Sequence, residues 1–126
     1  MQFSDEASTP PAVGIETKSG DGDGATLSGA QSASFVRGQF RHLASLPNAG
    51  HRPLPIIPTI LIHGARWSVD FADRTGSQTV MYGRIDIGSS DKLYGCYAIY
   101  YAIRIIAKWC VKEYWQWLEQ ALVPPA

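Results

Sequence analysis

The chain has 126 residues, 45% of them hydrophobic, and eleven basic side chains are balanced by eleven acidic ones. That length suits one compact domain with a real core. The charge balance excludes a global positive field that would draw nucleic acid to the whole surface, while leaving room for a local basic rim.

The N-terminal M-Q-F-S-D-E has neither a basic stretch nor an apolar one, so it reads as no signal peptide. Residues 1–11 form an irregular arm that stiffens at Pro10-Pro11. Residues 12–126 follow as one domain. The first predicted strand is Ala12 to Lys18, A-V-G-I-E-T-K. Residues two apart on a strand share a face, so Glu16 and Lys18 project together and Thr17 opposes them. The run from Ser19 to Gly24 is a flexible loop of serine, glycine and aspartate. Its Asp21-Gly22-Asp23-Gly24 hints at a calcium loop, but the EF-hand pattern needs a third ligand where Ala25 sits. Lying beside Glu16 and Lys18, Asp21 or Asp23 could touch a cation.

A helix is predicted from about Thr26 to Leu46, with Thr26 or Ser28 as its cap. Phe35, Val36, Phe40, Leu43 and Leu46 recur on it at helical spacing, and Pro47-Asn48-Ala49-Gly50 ends it. Ile56 to His63 is the second strand and Trp67 to Ala72 alternates as a third. Asp73-Arg74-Thr75-Gly76 reads as a hairpin turn leading to a fourth strand, Gln78 to Ile85. Ser89 or Ser90 then caps one long helix from Lys92 to about Gln120. Its expected core face runs through Leu93, Cys96, Tyr97, Tyr100, Ile103, Ala107, Cys110, Tyr114, Trp117 and Leu118. Trp115 and Trp117 cannot both face inward. Arg104, Lys108, Lys112 and Glu113 interrupt this helix, which argues against a membrane span of about twenty apolar residues. Cys96 and Cys110 would stand roughly 21 Å apart on a straight helix, too far for a disulfide. Reduced cysteines suit an intracellular protein, nuclear or cytoplasmic.

The element order is strand, helix, three strands, helix. His42, His51 and His63 show no metal spacing, and His63 reads as a hydrogen-bonded residue at a strand end. No G-x-S-x-G, phosphate loop or dinucleotide fingerprint occurs.

E-x-K on one strand face pairs a carboxylate for an oxygen-seeking cation such as magnesium with an ammonium for a phosphate. On spacing alone, a surface ion pair is the commoner meaning. Three blocks in order narrow it: P-A-V-G-I-E-T-K-S-G, then A-Q-S-A-S-F-V-R-G-Q-F-R-H-L, then L-P-I-I-P-T-I-L-I-H-G-A-R-W through I-G-S-S to A-K-W-C-V-K-E-Y-W-Q-W-L. Over residues 11 to about 118 they resemble a PD-(D/E)XK nuclease-like family common in fungal genomes.

The resemblance implies an α/β fold (α+β by strict classification). It would be a shortened restriction-endonuclease-like core, a mixed sheet of about four strands flanked by two main helices. It also implies Mg2+- or Mn2+-dependent hydrolysis of nucleic acid. Glu16 would hold the metal, Lys18 would act at the phosphate, and Gln31 matches the glutamine on the following helix. Gly64 and Trp67 match the ends of the family's G-H-D-W stretch, whose middle pair is here Ala65-Arg66. The family places a first aspartate on a strand preceding E-x-K, preceded by a helix, and fifteen residues before Glu16 are too few for both. Asp5 is the candidate for that second metal carboxylate. The alternative is a non-catalytic remnant acting as an interaction or oligomerisation domain. On that reading Glu16 and Lys18 are a surviving ion pair, and the Trp/Tyr-rich C-terminal helix meets a partner or a second copy.

Overall fold

A computed structural model describes residues 11–18, 24–50 and 52–124, with the backbone alone for 24–32. Its strands are β1 (Gly14–Lys18), β2 (Ile57–His63), β3 (Arg66–Thr75) and β4 (Gln78–Ser89). Helix α1 (Gly24–Ala44) links β1 to β2, and α2 (Leu93–Trp109) follows β4. A π-helical turn (Cys110–Tyr114) then joins α2 to α3 (Trp115–Leu122). The sheet order is β1-β2-β3-β4, with β1 parallel to β2 and the other neighbours antiparallel. This is an α+β fold with a mixed four-stranded sheet, consistent with a restriction-endonuclease-like core.

Alternation along the strands sorts the sheet into two faces. Gly14, Glu16 and Lys18 share one face with Ile57, Thr59, Leu61 and His63, and register carries it on to Ala72, Asp70, Ser68 and Arg66. One end of that face is apolar and covered. There Val36, Phe40 and Leu43 of α1 pack with Ile57 and Ala72, and with Tyr114 and Leu118 from beyond α2. Helix α1 lies directly on β1 because Gly14 has no side chain: a Cβ there would stand 2.7 Å from the Phe35 ring. The opposite face receives α2. Close approach again requires glycine, since a Cβ on Gly95 would overlap the carbonyl of Ser89. No helix among the described residues is long and apolar enough to cross a membrane.

The chain entering β1 is fastened from two sides. The Gln39 side-chain amide and the Tyr114 hydroxyl both donate to the Pro11 carbonyl, at 2.6 and 3.2 Å. At the far end, the Asn48 backbone and side chain donate to the carbonyls of Ala121 and Gln120, satisfying acceptors that the end of α3 leaves open.

Several sequence expectations are corrected. The helix after the glycine loop starts at Gly24, so Thr26 and Ser28 lie inside it rather than at its cap. The β3–β4 turn sits at Gly76-Ser77, with Gly76 at φ 63, and β4 runs four residues past Ile85. Neither Ser89 nor Ser90 caps α2. Lys92 holds that position with no side-chain cap bond, because the Ser89 hydroxyl donates to Asp91 and the Ser90 hydroxyl to the Ala65 carbonyl.

The largest correction concerns the expected core face of the last helix. Leu93, Tyr97, Tyr100 and Ile103 are exposed, and Ile99 is buried. Counting back from Tyr114 and Leu118 in regular α-helical steps gives 110, 107, 103, 100, 96 and 93. The π turn holds one extra residue, which rotates everything before it by about 100° relative to that count. The face that meets the sheet therefore runs through Ile99, Ile106 and Trp109. Trp115 is exposed and Trp117 half-buried, its indole N–H donating to the Pro53 carbonyl at 2.8 Å under the Arg52 guanidinium.

Tyr114 makes a pH prediction. Burial, with a smaller contribution from the nearby Cys110 thiolate, pushes its phenol up from 10.0 to about 12. A raised value means that folding favours the neutral form. The associated stability is complete below pH ~10 and is lost as pH rises through about 12. Urea titrations should show wild-type stability falling more steeply across that window than Tyr114→Phe. At pH 8 the variant should be weaker by about 1 kcal/mol, the worth of its hydrogen bond.

Candidate functional site

Past Ile57 and Ala72, the face that α1 packs on turns polar. Glu16 is in register with Leu61, which faces Ser68, which in turn faces Asp86. One step along, Lys18 is in register with His63 and His63 with Arg66. The hairpin between β2 and β3 closes in two residues, Gly64-Ala65, with Gly64 at φ 62 and its N–H donating to the Lys18 carbonyl at 3.0 Å. That turn fixes the ends of β1, β2 and β3 at one level.

Among the described residues, four buried polar atoms on this face have no hydrogen-bond partner: Glu16 Oε2, Thr59 Oγ1, His63 Nε2 and Asp70 Oδ1. Leaving one such group unsatisfied costs about 1–3 kcal/mol, and more when it is charged. A cluster of such atoms on one face is therefore a mark of something other than packing. The ion pair formed among the described residues joins Arg84 Nε to Asp70 Oδ1 at 3.6 Å, too long for a hydrogen bond. Glu16 and Lys18 do not pair with each other, so the surface ion pair that E-x-K suggests is not formed.

The sequence-predicted site residues fare differently. Glu16 and Lys18 lie on β1, both partly buried and on the face expected. Gln31 lies in α1, one turn before Phe35, and its side chain is outside the described residues. Asp5, Asp21 and Asp23 lie outside them too. His63 ends β2 as expected, but its Nε2 is not hydrogen-bonded. Sequence reasoning passed over Thr59, Asp70 and Arg84. The signal for the first two was in the alternation: T-I-L-I-H and S-V-D-F-A place Thr59, His63, Ser68 and Asp70 where a core face should be apolar.

A carboxylate oxygen buried without a partner suits a hard cation, which is held by oxygen ligands and brings its own waters. Among the described residues no three His, Cys, Asp or Glu side chains are grouped to hold a metal ion. Glu16 thus fits as one ligand of a site that another carboxylate must complete.

A mixed sheet with α1 as the crossover between parallel β1 and β2, and E-x-K on the covered face of β1, defines the restriction-endonuclease-like class. A family model described as the PD-(D/E)XK nuclease superfamily matches residues 1–115. The chain belongs to that superfamily, whose members generally depend on divalent metal ions. No curated protein and no solved structure matches it.

Proposed function

We propose that the chain is a nuclease that hydrolyses phosphodiester bonds of nucleic acid with Mg2+ or Mn2+. The observation that carries this reading is the orphaned Glu16 Oε2 beside Lys18, which forms no ion pair among the described residues, on one strand of a PD-(D/E)XK chain. Glu16 holds the cation, and Asp5 is the proposed second carboxylate. When bound, such a cation polarises the phosphoryl oxygen and lowers the pKa of a water. The Lys18 ammonium faces the scissile phosphate, orienting the attacking water and offsetting charge as it develops there.

Gln31 supports the pair. Its backbone position is compatible with that role, because α1 runs back over β1 with Phe35 above Gly14. One helical turn before Phe35 is about 6 Å, and two strand residues beyond Gly14 are about 7 Å, which brings Gln31 level with Glu16.

The test is cleavage of labelled duplex DNA and single-stranded RNA with magnesium or manganese. Lys18→Ala should lower the rate roughly 100- to 1,000-fold, the effect of removing one preorganised donor from a charged transition state. A wild type that cuts neither substrate, or a variant as fast as wild type, would sink the proposal.

One observation favours a second reading, an interaction domain that pairs with its own copy. Helix α2 leaves Leu93 74% and Tyr94 90% exposed, with Tyr97, Tyr100, Tyr101 and Ile105 also open to solvent. A contiguous apolar patch of that kind is uncommon on a monomer. Sedimentation should then show concentration-dependent dimerisation that Tyr94→Glu with Tyr101→Glu removes. A monomer at all concentrations rejects it.

A further inference from the structure

Beyond Glu16 and Lys18, the polar face opens into a cleft of about 370 Å³ lined by His63, Arg66, Ser68, Arg84 and Asp86. Three strands build it, and nothing in the E-x-K chemistry requires it. Two guanidiniums, an imidazole and a hydroxyl converge there, all capable of donating to phosphate oxygens. His63 Nε2 is buried and unpartnered. Arg66 forms no ion pair among the described residues, whereas Arg84 is held by Asp70. Of the two guanidiniums, the one without an ion pair among the described residues is thus the one nearest Lys18 in register. The single acid of the lining among the described residues, Asp86, is exposed on β4 at the far side.

We propose that this cleft binds a second phosphate of a nucleic-acid strand, next to the phosphate that Lys18 faces. Lys18, His63 and Arg66 form one row across β1, β2 and β3, spanning two strand spacings of about 4.8 Å each. A backbone laid along that row meets an ammonium, an imidazole and a guanidinium in turn. The guanidinium donates to two oxygens of one phosphate at once, which an ammonium cannot do with the same geometry. Asp86 repels the anion from the outer wall and so confines it to the His63–Arg66 side. This local strip also gives a chain with no net charge a way to hold a polyanion.

The inference rests on the nucleic-acid reading above, but its test needs neither metal nor cleavage. Binding of a fluorescent oligothymidylate would be followed by anisotropy in EDTA across a range of salt. Arg66→Ala should weaken binding roughly tenfold or more and reduce the slope of log K against log salt by about one. Asp86→Asn should tighten binding, and Arg104→Ala on α2 should change neither quantity. Arg66 is exposed, so its variant should keep the wild-type melting temperature. Inorganic phosphate should compete only at far higher concentration than the oligonucleotide.

Unchanged affinity in Arg66→Ala, or no oligonucleotide binding by the wild type, overturns the proposal. Phosphate or a mononucleotide binding as tightly as the strand overturns it as well, by making this a small-anion site. The two readings separate cleanly. Arg66-dependent binding without cleavage refutes the nuclease and keeps the cleft, while cleavage with Arg66-independent binding does the reverse.

Discussion

Calorimetric titration of the wild type with manganese at low ionic strength should give a saturable signal, and Glu16→Ala should give none. Manganese is the better probe because it tolerates mixed ligands more readily than magnesium, which demands near-ideal octahedral geometry and gives up water reluctantly. The expected loss is complete rather than partial. No cluster of three ligands exists among the described residues to retain the ion once Glu16 is gone. Unfolding cannot explain the loss. Glu16 Oε2 has no hydrogen bond to forfeit, and removing a buried, unpartnered polar atom relieves a desolvation cost. The alanine variant should therefore unfold at the same or a higher urea concentration. Heat of binding that survives in Glu16→Ala places the cation elsewhere. Silence in both proteins removes the metal site from the proposal altogether.

Phe40→Ala should lower stability by about 3–5 kcal/mol, the usual loss for a large aromatic cut from a packed core. Phe40 is fully buried, and its cluster mates come from five elements: α1, β2, β3, the π turn and α3. Little around it can collapse to fill the space, since the neighbours are fixed by sheet register on one side and by helix packing on the other. Domains of this size are stable by about 5–15 kcal/mol in total, so the variant should be partly unfolded under mild heating. Tyr94→Ala is the matching control. That side chain is 90% exposed, and its removal should change stability by no more than about 0.5 kcal/mol. Equal effects from the two substitutions would mean that the core is drawn in the wrong place.

Much of this fold is legible in the chain. Alternation locates β3, short apolar runs locate β1 and β2, and the spacing of Val36, Phe40 and Leu43 marks the buried stripe of α1. The face shared by Glu16 and Lys18 follows from strand geometry. What could not be read is instructive. A helical wheel assumes constant pitch, and the π turn at Cys110–Tyr114 breaks that assumption, so a face correct at Leu118 is wrong at Tyr97. The serines before α2 have cap chemistry, yet tertiary partners at Asp91 and Ala65 claim their hydroxyls. The cleft around His63 and Arg66 depends on which strands lie side by side. Residues 63, 66 and 84 are unremarkable in order and meet only once β2, β3 and β4 are paired.

Gly14 carries no chemistry and sits two residues before the acid on the same face of β1. Its bare backbone sets how low α1 can ride, with the Phe35 ring where a methyl group would be. Any side chain introduced there must lift the helix or turn the ring, and everything α1 carries over the sheet shifts with it. A change at residue 14 would thus register as a lesion in the site while leaving every reactive group in place. Variation along this chain should accordingly be tighter at a residue that does nothing than at many that do something. The distance between two layers belongs to the site as much as the groups that face each other across it.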